Sequence, residues 1–410
     1  MAEKKEGNYK LFLLLWFGEL VSCIGGGLTS FGLGIYIFQK TGSAADMAFM
    51  TFLAFLPVLV LKVPAGVLAD RFDRRLLMMI GDGCSGLGVL FILICMLKGE
   101  PALWQIYLGV IISSVFSALL EPAYIATITD LLTKEQFSKA NGLVSMAGSS
   151  RYLFSPIIAG FLLTFSDIKL ILIIDICTFF LTIITAAVVK GNIHANKKEV
   201  NESFIESMKE GWRAVSTKKG LMLLIIITSL ITLFMGMFQI LAEPFILSFS
   251  DSKTLGIVET LVATGMLFSG VILGVRGIKK NYVRYLSLGL VVSGITMTGF
   301  ALTENLFIIC AFGFLFFAAL SVANNCLDYL ARTNIPDELQ GRAWGLIGFI
   351  SQLGYIVAYG TSGLMADSVG RLTGGGAGKG ASIIIIISGI CLAFIASGIT
   401  RVDKIKELES

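Results

Sequence analysis

Glu19, Lys62 and Arg151 stand inside long apolar stretches of the sequence, where an ionisable side chain is expensive. A carboxyl such as Glu19 can take up and release a proton, or neutralise a base beside it. A guanidinium such as Arg151 keeps its charge, and needs a carboxylate, backbone carbonyls, water or an anion as partner. At 1.5 Å per residue Glu19 lies about 13 Å along a helix from Lys10, Arg151 about 18 Å from Lys139, and Lys62 about 12 Å from Asp70. These depths approach the middle of a bilayer, where each charge costs roughly 2.5–3.5 kcal/mol on insertion scales. Glu19 can pair with Arg151 or with Lys62; similar depth in the same half of the chain favours Arg151.

Other carboxylates are less deeply placed. Glu121 precedes Pro122 and Glu243 precedes Pro244, and both stand behind Glu19 as proton-binding candidates. Asp82, Asp175, Glu259 and Asp328 fall toward the ends of apolar runs and are read as hydrated rim groups. The single histidine, His194, lies in a polar connection, and none of the seven cysteines forms C-x-x-C. No H-E-x-x-H or G-x-S-x-G is present. These absences argue against a zinc site, a disulfide framework or a nucleophilic triad, so no enzyme activity, metal or cofactor is expected. Gly374–Gly380 imitates a phosphate-binding loop, but Gly380 stands where a Ser or Thr would be required, and the run is read as a flexible loop. A net charge of +4 without a basic stripe points away from nucleic acid.

The elements that must position these residues follow from composition. Hydrophobic residues make up 55% of the 410 and charged residues 15%, against about 25% charged in a soluble domain. Twelve apolar runs are long enough to span a bilayer. They cover roughly 11–38, 46–69, 76–97, 102–125, 139–165, 168–190, 220–249, 254–275, 283–302, 305–330, 342–367 and 381–400. The first is too long for a cleavable signal peptide. The chain is thus expected to be an all-α polytopic membrane protein. The connection at 191–219 divides the spans into an N-terminal bundle, 1–190, and a C-terminal bundle, 220–410. Within it Ser203-x-x-Glu206 has capping-box spacing, and Phe204, Ile205, Met208, Trp212 and Val215 share one face, as in an interfacial helix. With both termini inside, 24 of the 32 Lys and Arg face the cytoplasm and 6 face outward, in keeping with the positive-inside rule.

An internal repeat supports the division. Thr133-Lys-Glu135-Gln-Phe-Ser-Lys139-Ala140-Asn-Gly142 aligns with Pro336-Asp-Glu338-Leu-Gln-Gly-Arg342-Ala343-Trp-Gly345 at one offset, which also brings Gly160 onto Gly363. Six spans per half keep the two halves in the same orientation, a parallel repeat. Between spans two and three runs Gly66-Val-Leu68-Ala-Asp70-Arg71-Phe-Asp73-Arg74-Arg75-Leu76. An acid there can pair with Arg or cap a neighbouring helix, while the arginines could serve topology alone. This run resembles the cytoplasmic signature of the major facilitator superfamily, G-x-L-a-D-r-x-G-r-k. Ser155-Pro156-Ile-Ile-Ala159-Gly160 resembles a degraded form of the antiporter motif G-P-x-x-G-G. Together with Glu19 and the phrase Thr41-Gly42-Ser43-Ala44, the chain looks most like the macrolide-efflux branch of bacterial drug exporters.

The resemblance implies two bundles of six helices rocking around a central site in the bacterial inner membrane. It implies export of small amphipathic, drug or macrolide-like molecules in exchange for protons, by a monomer whose other partner is the lipid bilayer. Glu19 would be the coupling residue, with Arg151, Lys62, Glu121 and Glu243 as further proton or substrate residues. Gly66, Asp70, Arg71, Arg74 and Arg75 would form the cytoplasmic gate, Asp70 latching the start of span eleven near Gly341–Gly345. Pro156 and Gly160 would shape the helix that seals against proton leak. Two departures stand out. Asp73 replaces the family glycine, which suggests a different turn, and span four carries no arginine between Trp104 and Tyr124. The alternatives are a dedicated exporter or importer of one metabolite, such as a siderophore or peptide, or a transporter-like membrane sensor.

Overall fold

The computed structural model describes residues 8–192, 212–213, 216, 219–335 and 340–409. Among the described residues there are helices and no strands. Before the long connection come α1 (Tyr9–Thr41), α2 (Ala44–Arg71), α3 (Arg74–Lys98), α4 (Leu103–Ser117), α5 (Leu120–Leu131), α6 (Lys134–Leu153), α7 (Ser155–Phe165) and α8 (Ile168–Asn192). After it come α9 (Lys219–Leu247), α10 (Ser252–Arg276), α11 (Tyr282–Ala301), α12 (Leu306–Asn334), α13 (Gln340–Thr373), α14 (Gly376–Ile399) and the short α15 (Asp403–Lys406). Most of the interfacial stretch 203–215 lies outside the described residues.

Ten stretches are long and apolar enough to cross a membrane: α1, Ala44–Lys62 of α2, α3, α4 continued by α5, α8, α9, α10, α11, α12 and α14. The more polar α6–α7 and α13 occupy the places of spans five and eleven and complete twelve. Two spans are broken helices, each just ahead of a proline. Span four breaks at Ala118–Leu119, and Pro122 then sits in the first turn of α5. Span five breaks at Phe154, and Pro156 sits in the first turn of α7. Proline lacks an N–H and its ring crowds the carbonyl four residues back, so the first turn of a new helix is where it costs least. By contrast Pro57, Pro64 and Pro244 lie inside continuous helices.

Polar side chains set several helix starts. Thr133 and Gln136 form a reciprocal capping box on α6. Asp251 accepts from the Thr254 amide at 2.8 Å, and Asn305 from Phe307 at 3.0 Å. The glycine-rich run expected as a loop is mostly helix. After a tight turn through Gly374 and Gly376, both at positive φ, α14 begins, and Gly378 and Gly380 let its first turns touch Ser248 and Ala366.

The chain packs as two compact units, one formed by Met1–Gln39 and Met50–Val200, the other by Lys40–Phe49 and Asn201–Ser410. In the first, α3 lies along α4, α5 and α8. Phe12, Leu15, Met78, Ile128 and Val189 are among the residues that fill its core at one end. Trp16 ties α1 to α6 by donating from Nε1 to the Leu143 carbonyl at 2.6 Å. In the second, α11 packs on α12 and α14, and α9 on α13. Phe238 sits there against Phe316 and Phe300, with ring centroids 4.4 and 4.8 Å apart.

Candidate functional site

The first unit holds a polar cluster in its interior, and glycines on α1 make room for it. Gly18 faces Thr185, Gly25 faces Thr178 and Asp175, and Gly32 faces Ile168 and Ile171 of α8. Each pair of successive glycines is seven residues apart, and their partners descend α8 as α1 ascends, an antiparallel seam. A Cβ on Gly25 would lie 2.7 Å from Asp175 Oδ1. On the next flank, a Cβ on Gly26 would lie 3.1 Å from Arg151 Nη2, and Gly27 lies against Ser155, whose hydroxyl donates to the Ile24 carbonyl at 2.9 Å. Side chains this small allow backbones and polar groups to approach closely, as packing between membrane helices requires.

Glu19 projects from α1 into this cluster, where Cys23, one turn on, donates its S–H to Glu19 Oε1 at 3.6 Å. Arg151 acts electrostatically on Glu19, Asp175 and the Cys23 thiol. The expected contact pair of Glu19 and Arg151 is not formed: the guanidinium is exposed and, among the described residues, stands within 4.0 Å of no carboxylate. Gly26 and Gly27 hold it over α1 instead. Lys62 is taken by a different acid, Glu121, at 3.1 Å, with both side chains more than half exposed. Glu121 in turn acts on Glu19 through space.

Two residues read as hydrated rim groups belong to the interior. Asp82 and Asp175 are each 1% exposed. Asp175 accepts weakly from the Thr178 hydroxyl at 3.4 Å, while Asp82 Oδ1 and the Tyr124 hydroxyl are buried without a hydrogen-bond partner. Depth counted along one helix missed them, because burial depends on the helices packed around, not on distance from the last polar residue.

At the turn between α2 and α3, Asp73 has φ −64°, not a glycine-like positive angle. Its carboxylate caps α3 by accepting from the Arg75 and Leu76 amides at 3.0 and 3.4 Å. The replacement of glycine therefore supplies an N-cap and leaves an ordinary backbone. Arg74 donates to Asp130 at 2.7 Å and to the Ala126 carbonyl at 3.1 Å, and Arg75 reaches the same Asp130 at 3.3 Å. Asp70 stands 3.9 Å from Arg74 and is half exposed, Arg71 is exposed, and Gly66 has open space around it. Asp130, at the end of α5, escaped the sequence reading because its partners lie over 50 residues away. Of the stretch proposed for the Asp70 latch, only the side chain of Ala343 is described between 341 and 345. Pro156 and Gly160 are both buried in α7.

In the second unit Glu243 Oε2 is buried without a hydrogen-bond partner, and Glu259 of α10 is its electrostatic neighbour. Nearby on α9, Gln239 accepts from the Tyr359 hydroxyl at 3.0 Å. A groove of about 320 Å³ between α9, α12 and α13 is walled by Leu224, Ile225 and Leu327, with Thr228, Asn324 and Asp328 as polar points. Phe238 is core packing, not groove lining. At another place in this unit Asp367 of α13 caps the start of α2. It accepts from the Ser43 hydroxyl at 2.7 Å and from the Ala44 and Ala45 amides at 2.9 and 3.1 Å.

Residues 15–359 match the sequence model of the Major Facilitator Superfamily. Macrolide efflux protein A of Streptococcus pyogenes is 26% identical over 420 aligned positions, covering 98% of this chain and 99% of that one. Multidrug efflux pump Tap of Mycolicibacterium fortuitum is 24% identical, covering 90% and 92%. Among solved structures, a bacterial homologue of the iron transporter ferroportin superposes with a TM-score of 0.72 at 14% identity, covering 95% and 100%. A bacterial homolog of the human lysosomal transporter Spinster gives 0.73 at 13%, covering 99% of each chain. At such identities the structural likeness is one of fold.

Proposed function

We propose that this chain, which belongs to the Major Facilitator Superfamily, exports small amphipathic molecules, macrolide-like compounds among them, in exchange for protons. It works as a monomer in the bacterial inner membrane with both termini in the cytoplasm. Bundles 1–190 and 220–410, joined by 191–219, rock to expose a central site to one side at a time. The observation that carries the coupling is the placement of Glu19. It is a carboxyl in the polar interior of the first unit, held by a weak thiol donor and by Arg151 acting from beyond contact distance. A carboxyl with no cation in contact and one weak donor is chemically able to take up a proton and give it back. The substrate class rests on the end-to-end likeness to macrolide efflux protein A.

Glu121 with Lys62, and Glu243, are the secondary candidates for proton or substrate contact. The Gly66–Arg75 turn serves as the cytoplasmic gate. The test is transport of a macrolide into inside-out proteoliposomes containing the full chain. Accumulation that follows an imposed pH gradient, and collapses when an ionophore removes it, supports the exchange. Equal accumulation with and without the gradient would contradict it.

A further inference from the structure

Asp82 and Asp175 are interior acids of the first unit that the coupling role of Glu19 leaves unused, and of the two Asp82 has the fewer partners. It is 1% exposed, and its Oδ1 finds no hydrogen-bond donor. The charged groups that act on it are Glu19 from α1 and Asp175 from α8, both carboxyls. Arg151, on α6, acts on Glu19, Asp175 and Cys23 but is absent from the groups that act on Asp82. The Cys23 thiol and the buried, unpartnered Tyr124 hydroxyl of α5 complete the titratable surroundings. Asp82 and Asp175 are thus buried beside a half-buried Glu19, and the one guanidinium nearby, exposed Arg151, acts on Glu19 and Asp175. An ionised carboxylate there, facing carboxylates and with Oδ1 given no donor, is costly to bury. A protonated one sheds that charge and becomes an O–H donor.

We infer that Asp82 is a second proton-binding carboxyl, so that the Glu19, Asp82 and Asp175 cluster holds two protons when closed and leaves one carboxylate for Arg151 to balance. The step is plain protonation: a carboxylate oxygen of Asp82 takes a proton from hydronium in water that reaches the cluster from one side, and returns it to water as hydronium when the cluster opens to the other side. Charge then closes, three carboxyl positions against one guanidinium and two protons. Asp82 also lies about 12 Å along α3 from Arg74, at a depth similar to that of Glu19, so one water-filled opening can serve both. The inference rests on Glu19 exchanging a proton.

Infrared difference spectroscopy on the reconstituted full chain reads protonated carboxyls directly from their C=O stretch. At neutral pH the wild type should show this band, and Asp82→Asn should reduce its intensity by about half, one of two protons being lost. The protons exchanged per substrate should fall from about two to about one in the same variant, as the charge balance demands. Asp82→Glu, which keeps the carboxyl, should retain both. A wild type without a protonated-carboxyl band at neutral pH overturns the inference, and that result needs no variant to fold. An unchanged band and proton count in Asp82→Asn overturns it equally. Glu19→Gln, measured in parallel, separates the two ideas. Lost coupling in Glu19→Gln beside an unaltered Asp82→Asn rejects Asp82 alone. A halved band in Asp82→Asn beside a fully coupled Glu19→Gln keeps the buried proton and rejects Glu19.

Discussion

Arg74 and Asp130, 56 residues apart in sequence, meet at 2.7 Å where α3 begins and α5 ends. Arg75 shares the same carboxylate and is 1% exposed, so Asp130 neutralises two guanidinium groups at once. Asp130→Ala should therefore lower stability by about 2 kcal/mol, the range of a lost hydrogen bond to a charged group. Asp70→Asn removes a half-exposed partner at 3.9 Å, and should cost under about 1 kcal/mol. Thermal unfolding of both purified variants in detergent makes the comparison. Equal losses would move the structural weight of this turn back to Asp70.

The glycine seam offers a steric test. Gly25→Val should destabilise the first unit by roughly 1–3 kcal/mol or prevent its accumulation, since overpacking forces backbones apart. Its Cβ alone would already crowd Thr178 and Asp175 Oδ1. Gly142→Ala, where a Cβ meets nothing within 4 Å, should be tolerated. Membrane yield and melting temperature check both, and a well-folded Gly25→Val would mean that α1 and α8 can separate freely.

Asp367 caps α2 with three hydrogen bonds. Asp367→Ala should cost about 1 kcal/mol, the usual penalty for a lost N-cap, while Asp367→Asn, which keeps an acceptor, should cost less. Chemical denaturation of the two variants beside wild type gives the order. If both are silent, the turn at Ser43 is held by other contacts.

Much of this fold was legible from apolar run length, because the bilayer demands spans of fixed size and few charges. The twelve helices need no more than that. The breaks at Ala118 and Phe154 follow from Pro122 and Pro156, yet their positions needed the packed structure. The site was legible in part. Glu19 and Arg151 announced themselves as charges in apolar text, but their spacing along single helices could not reveal that Lys62 belongs to Glu121. Asp82 and Asp175 were hidden for the same reason: one helix at a time, an acid two or three turns from an end looks wet. The heptad of Gly18, Gly25 and Gly32 was visible in the letters, while its meaning required the facing threonines of α8.

Asp251 gives a pH dependence outside the membrane spans. Its carboxylate accepts from the Thr254 amide at the start of α10, which holds it below the ordinary carboxylate value. A group depressed on folding adds stability above its unfolded value and loses it as pH falls through the folded one. Wild type should therefore lose a small margin over Asp251→Asn as pH drops below about 4, and should keep that margin at neutral pH. Melting temperatures of the two proteins across this range provide the check. A margin that grows on acidification would reverse the sign of the effect.

The most direct measurement is gradient-driven transport by Glu19→Gln against substrate exchange by the same protein. Gln keeps the shape and can still accept from Cys23, so insertion and folding should stay near normal and substrate-for-substrate counterflow should persist. Accumulation driven by a pH gradient should be abolished, because the amide cannot carry a proton across the cycle. A Glu19→Gln transporter that accumulates substrate like wild type under the same gradient would contradict the coupling role of Glu19.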